Sequence, residues 1–415
     1  MAGLWWELLV LAWKNLWRNR RRTLITLAAM SLTLMLIQVL NNLSMGSYRQ
    51  MIQSGVRAGS GHLTLNAPGY REQQDIALAF DVTPFWACIE QQPEVQQALP
   101  RLYLPGLAQS GYDSRGILLQ GIDMTREAGS NPFLKSLSCD HWLRPDVPED
   151  ALLGIQLADQ LHLKAGNKFV VTLQNSRNEL VSELFRVRGV LQTGLQDVDQ
   201  SLVLVSLERA GLLAALPGKI HELAILLQEQ QQVGAVYQQL HEALRDQPGI
   251  ELLTWQQAMP NLYHAIQLDY ASQNAILLIM LVIVVIGIAN TLLMSVMERS
   301  HEFGLILALG ARPFRLVELV VAEALVLGAL AAVCGAVLGG LGTWYLWARG
   351  IDLRQFISEE IEYGGIVFEP VLRAVWDVPW MAQSALFLVV LSVMASVYPA
   401  LRAARLTPVA AMRRR

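Results

Sequence analysis

Charge is scarce in this chain. Only 16% of its 415 residues are Asp, Glu, Lys or Arg, against roughly 25% in ordinary soluble domains. With 53% hydrophobic residues and a positive mean hydropathy, the balance points to a membrane protein. A net charge of -3 and the lack of one basic patch argue against nucleic acid as a partner. Cysteine is nearly absent too. Cys88, Cys139 and Cys334 lack metal-ligand spacing, so no metal site is expected. Cys88 and Cys139 share one polar region and are candidates for a disulfide if that region lies outside the cytoplasm; spacing alone does not bring them together. No G-x-x-x-x-G-K-[ST] run is found to cradle ATP phosphates. His62, His141, His162 and His221 are scattered, and no serine, cysteine or carboxylate stands in a nucleophile motif, so no catalytic residue is assigned.

What the chain does have is long apolar runs. Residues 24–46, 273–297, 316–347 and 380–401 each exceed the roughly 20 residues, at about 1.5 Å apiece, that span the hydrocarbon of a bilayer. Arginines flank them unevenly. Arg20, Arg21 and Arg22 precede the first run, Arg299, Arg312 and Arg315 border the connection between the second and third, and Arg402, Arg405 and the terminal Arg413, Arg414 and Arg415 follow the fourth. The 348–379 connection is acidic, with Asp352, Glu359, Glu360, Glu362, Glu369 and Asp377. Because basic flanks stay cytoplasmic, a helical bundle of four crossings with both termini inside is predicted.

Residues 1–23 carry Trp5, Leu9, Trp13 and Trp17 at four-residue spacing, followed by the arginine cluster. That pattern predicts an amphipathic helix lying on the membrane, since tryptophan favours the interface. A signal peptide fits poorly, because its charges would precede the apolar core. Gln38, Asn41 and Asn42 fall toward the outer end of the first crossing, where amides can reach headgroups, water or a neighbouring helix; simple emergence from the bilayer is the expectation.

Residues 47–272 are predicted to form a large outer α+β domain. Strand-like runs occur at 62–65, 116–122, 168–173, 185–191, 201–205 and 222–227. Helical patterns occur at 85–92, 154–161 and 231–245, the last with Val233, Val236, Tyr237, Leu240 and Leu244 on one stripe.

Within the third crossing, Gly328, Ala332, Gly335 and Gly339, with neighbouring Gly340 and Gly342, put small residues at four-residue spacing, the pattern of a helix-packing face. Glu318 and Glu323 lie in its first turns. A carboxylate at that depth is a functional candidate or the partner of a neighbouring helix or of Arg315. The connection ahead of it, Met297 to Pro313, sets Phe303, Ile306, Leu307 and Gly310 apart from Glu298, Arg299, Glu302 and Arg312. A short helix that lies at the surface and docks onto something is predicted; the alternative is an ordinary hairpin loop.

The run from Glu298 through Gly304 to Arg312 resembles the segment after the second membrane helix in the FtsX/MacB superfamily of ABC transporter permeases, which includes the lipoprotein-releasing LolC and LolE subunits. The ending from Tyr398 through Pro399 to Met412 is similar to that family's C-terminus. So are 153–166, Thr254-Trp255, the large domain between the first two crossings and the tryptophan-rich N-terminal helix.

The resemblance implies a subunit of the bacterial inner membrane that holds no cofactor itself. ATP and Mg would be bound by a separate cytoplasmic ATPase dimer, and the outer domain would move mechanically to extrude a lipidated or amphiphilic substrate. It makes 298–315 a coupling helix seated in the ATPase, with Glu298, Arg299 and Glu302 as polar contacts, Phe303 and Leu307 as apolar ones, and Gly304, Gly310 and Arg312 within the segment. A second permease, identical or paralogous, would close the substrate path, with Met30, Leu34, Ile37, Met45, Ile279, Ile283 and Ile286 as candidate cavity residues. Whether a periplasmic carrier docks stays open. Two other implied roles are MacB-like efflux of drugs or peptides and an FtsX-like scaffold that activates a cell-wall hydrolase.

Overall fold

The computed structural model describes residues 2–131, 133–134, 137, 141–144, 146–193, 196–245, 247, 249–310, 312–352, 362–363, 366–367 and 371–405. Eight helices organise it: α1 Ala2–Leu16, α2 Arg20–Ala58, α3 Thr83–Glu90, α4 Val233–Ala243, α5 Pro260–Glu298, α6 Ser300–Ala308, α7 Pro313–Ala348 and α8 Val378–Ala404. The chain separates into two units, one of Met1–Tyr48, Leu268–Leu353 and Val371–Arg415, the other built mainly from Arg49–Gln267.

The first unit holds four helices long and apolar enough to cross a membrane: α2 (continuous with α1 through one tight turn at Trp17–Asn19), α5, α7 and α8. Its core gathers Met30, Leu34, Val284, Ile288, Leu292, Leu327, Ala331, Ala332 and Leu388. Lipid gives no hydrophobic drive for helices to meet, so close backbone approach must supply the contact. Gly335 meets α2 so closely that an added Cβ would stand 2.9 Å from Leu34 Cβ and 3.0 Å from the Ser31 carbonyl. Gly339 lies against Gln38 and Gly342 against Val39, while Gly328 faces Ser392 of α8.

Polar side chains stitch the same helices. Asn42 Nδ2 donates to Thr343 Oγ1 at 3.1 Å, Gln38 Nε2 donates to the Met381 carbonyl at 3.1 Å, and Ser392 Oγ donates to the Ala324 carbonyl at 3.1 Å. Gln38 and Asn42 are wholly buried, which corrects the expectation that they emerge among headgroups. A buried amide finds its lowest free energy on a neighbouring helix that offers a partner.

The second unit is a mixed α/β domain. Its strands within residues 49–267 are β1 Leu63–Asn66, β2 Phe80–Asp81, β3 Val95–Gln109, β4 Ser114–Ile122, β5 Asp150–Gly154, β6 Lys168–Gln174, β7 Leu180–Leu191, β8 Leu202–Ser206, β9 Lys219–Ile220, β10 Glu222–Leu227 and β11 Glu251–Thr254. Nine of them form one sheet in the order β11-β1-β10-β3-β4-β8-β5-β7-β6, and a further pairing of β3 with β6 closes the last six into a ring. Side chains alternating inward from those strands fill it, among them Leu102, Leu104, Leu119, Leu153, Phe169, Phe185 and Val203. The flat remainder packs a second core of Leu63, Leu65, Leu223 and Ile225 under α3 and α4, through Phe85, Ile89, Val236 and Leu240.

β3 belongs to both cores, yet its two prolines hide it from a propensity reading. The ladders explain how they are tolerated. β4 pairs only from Arg101 onward, leaving one flank open at Pro100. On the other flank β10 pairing ends at Arg101 and β6 pairing begins at Gly106, so Pro105 falls in the gap. Neither position owes an N–H to both neighbours. Beside Pro100, Arg101 is fully buried against Glu127, with Nε–Oε1 at 2.6 Å, and its guanidinium also donates to the Gly59 and Arg57 carbonyls just past and within the last turn of α2. A cation there complements the negative end of the helix dipole.

Candidate functional site

The segment from Glu298 to Arg315 is held by charges that reach it from far along the chain. α6 is shorter than the predicted 298–315: Gly310, at φ +94°, takes a left-handed conformation just past its end, and Pro313 starts α7. Arg299, buried at the α5–α6 junction, donates through Nη1 to Glu323 Oε1 of α7 at 2.5 Å, and Asn15 Nδ2 of α1 donates to the same oxygen at 2.8 Å. Arg299 also lies over the Phe303 ring, 4.9 Å from its centroid. Outside this knot, Arg18 reaches Glu302 at 2.7 Å and Arg22 reaches Glu298 at 3.0 Å. Burial alone would raise the Glu302 carboxyl, but the Arg18 hydrogen bond and charge, followed by those of Arg299, hold it below the usual carboxylate range.

These contacts redistribute the predicted roles. Phe303, expected as an apolar contact for a partner, is 1% exposed and packs among Val296, Leu316, Leu319, Val320, Ala400 and Ala403. Gly304 is buried beside it, Leu307 is partly buried against the same cluster, and Arg299 is turned inward. Glu298, Glu302, Gly310 and Arg312 remain at the surface. The apolar residues that do face outward are Leu305, Ile306, Leu309 and Phe314, with Leu309 80% exposed. A three- or four-residue repeat marks the apolar face of α6 but not which side α7 and α8 cover. No local pattern in the chain signals that choice.

Among the proposed cavity residues, Leu34 and Ile37 line an apolar cleft of about 320 Å³ between α2, α5 and α8, completed by Leu277, Leu281, Trp380 and Phe387. Met30 is not in it; it is packed in the helix core. Ile279, Ile283 and Ile286 form an exposed stripe of α5 pointing away from that core. Met45 accepts a hydrogen bond from Tyr270 at 3.1 Å. Cys139 lies outside the described residues, so the Cys88–Cys139 pairing does too; Cys88 is half-buried. Among the described residues no group of three His, Cys, Asp or Glu side chains is arranged to hold a metal ion.

Residues 274–408, which include α6, α7, α8 and most of α5, match the family described as FtsX-like permease C-terminal. The chain is 25% identical over 270 residues to the lipoprotein-releasing system transmembrane protein LolC of Neisseria meningitidis, covering 64% of this chain and 65% of that one, a little under two thirds of the relative's length. It is 23% identical over 386 residues to LolC of Xylella fastidiosa, covering 89% and 88% of the two chains. It is also 23% identical to the pyoverdine export ATP-binding/permease protein PvdT of Pseudomonas syringae, covering 97% of this chain and 58% of that one. Four apolar helices, a large α/β domain between the first two and this pattern of relatives agree: the chain is a multi-pass membrane protein that resembles the FtsX/MacB-type permeases, LolC and LolE among them.

Proposed function

We propose that this permease sits in the bacterial inner membrane with both termini and α6 in the cytoplasm and its sheet domain in the periplasm. A separate ATPase dimer, holding ATP and Mg, drives it. With a second permease, identical or paralogous, it extracts or exports a lipidated or amphiphilic substrate, and lipoprotein release is the closest comparison. One observation carries the coupling part: α6 is bolted to the bundle on one side through Phe303 and the Arg299–Glu323 pair while Leu305 and Leu309 stand free on the other. A helix fastened in this way passes on a push instead of absorbing it. The apolar 320 Å³ cleft suits acyl chains and supports the substrate class. The names of the two LolC relatives point the same way, and PvdT joins ATP-binding and permease parts in one chain of which this sequence spans 58%.

The test is co-purification of the ATPase with the wild type and with Leu305→Asp/Leu309→Asp, alongside inner-membrane lipoprotein levels on depletion. Loss of the ATPase from an inserted, folded variant and retained lipoproteins on depletion are the expected results. Undiminished ATPase capture overturns the coupling surface. A cell-division defect with normal lipoproteins replaces the substrate reading with the scaffold one.

A further inference from the structure

Between α1, α6 and the start of α7 lies a cleft of about 550 Å³, walled by Leu8, Leu11, Ile306 and Leu316 together with Arg312 and Arg315. Its arginines differ from the others around α6. Arg18, Arg22 and Arg299 are each within 3.0 Å of a carboxylate. The carboxylate paired with Arg315 is 3.9 Å away, on Glu318, and among the described residues Arg312 has no ion-pair partner. Two weakly committed guanidiniums therefore border an apolar trough. The trough also lies where a membrane-crossing candidate begins: α7 starts at Pro313, and α1 exposes Trp6 and Trp13, side chains that favour the interface.

We propose that this cleft binds one anionic glycerophospholipid of the adjoining leaflet, with its phosphate on Arg312 and Arg315 and an acyl chain along Leu8, Leu11 and Leu316. The guanidinium fork matches a phosphate bidentately, and basic residues next to a membrane helix attract anionic lipid. A soluble polyanion would gain nothing from the leucine wall. A lipid in this cleft touches α1, α6 and α7 together, so the leaflet's composition adjusts how firmly the α6 segment is seated. The site does not depend on the coupling reading.

The full chain, purified and delipidated, is offered phosphatidylglycerol or phosphatidylcholine in mixed micelles, and retained lipid is counted by native mass spectrometry. Wild type should prefer phosphatidylglycerol, and Arg312→Gln/Arg315→Gln should lose that preference by roughly tenfold. Arg20→Gln/Arg21→Gln, which removes exposed arginines outside the cleft, should keep it, as should wild type in excess inorganic phosphate. Equal retention of the two lipids by wild type, an unchanged preference in the first variant, an equal loss in the second, or displacement by phosphate overturns the site. If Arg312→Gln/Arg315→Gln is not recovered folded, Leu8→Asp/Leu11→Asp, placed on the acyl wall, must lower retention instead. ATPase co-purification scored on the same samples separates failure of the lipid site from failure of the coupling surface.

Discussion

Arg299 and Glu323, 24 residues apart, meet at 2.5 Å with the guanidinium 10% and the carboxylate 4% exposed. The pair closes the α5–α6–α7 turn from inside, and Asn15 brings α1 to it. Glu323→Gln should leave the arginine charge buried and only half satisfied, at a cost of about 3–5 kcal/mol. Arg299→Leu/Glu323→Leu should recover most of that, whereas Arg18→Gln, which breaks a pair 55% and 48% exposed, should cost no more than about 1 kcal/mol. Thermal unfolding of the detergent-solubilised chain measures all three, and equal losses for Glu323→Gln and Arg18→Gln contradict the assignment.

Phe303 and Leu309 should separate structure from docking. Phe303→Ala empties a filled site and should lower stability by about 3–5 kcal/mol. Leu309→Ala, at an 80% exposed position, should leave stability within about 0.5 kcal/mol while weakening ATPase capture. The readouts are melting temperature and pull-down on the same preparations, and a stable Phe303→Ala chain that has lost ATPase capture would exchange the roles of the two residues.

The small-residue face of α7 is position-specific. Gly335→Val must drive a side chain into Leu34 and the Ser31 carbonyl and should cost about 1–3 kcal/mol or part α2 from α7. Gly340→Ala, five residues on with nothing within 4 Å of an added Cβ, should be neutral or slightly stabilising. Cysteine cross-linking between α2 and α7 in each background reports the separation.

Acid should loosen the sheet domain through His62. Burial, followed by the Arg57 charge, lowers its pKa from 6.5 to about 4, and its Nδ1 accepts the Leu227 N–H at 3.0 Å. Burial lowers His221 as well. Above pH 6.5 the ring is neutral in both folded and unfolded states. Between 6.5 and about 4 the unfolded chain binds the proton and the native one does not, so stability is fully present above 6.5 and is lost as pH falls through that window, up to about 3 kcal/mol for His62. Amide exchange at Leu227, corrected for intrinsic rate, should accelerate over that range in wild type and do so less in His62→Gln. Identical pH slopes would show that His62 does not carry the effect.

The bundle was largely legible because a 20-residue apolar run has few alternatives. α2, α5, α7 and α8 enclose the predicted crossings and extend past them, since a helix does not stop where its apolar stretch does. In the sheet domain, 222–227 reads as a strand and is β10, and the 231–245 stripe contains α4. β3 escaped because Pro100 and Pro105 break the pattern, and β5 because five fully buried residues show no alternation. At the α6 segment, periodicity separated apolar from charged residues, but α7 and α8 decided that Phe303 faces in and Leu309 faces out. That choice depends on residues up to 100 positions away, such as Ala403.

β3 runs 15 residues and serves two hydrophobic cores at once, Ala98 facing the flat sheet and Leu102 and Leu104 the closed ring. To slide one core past the other, the chain would have to break the ladder bonds β3 makes with β10 or with β4. Under load the sheet domain therefore answers as a single stiff body, and any bending must take place in its loops.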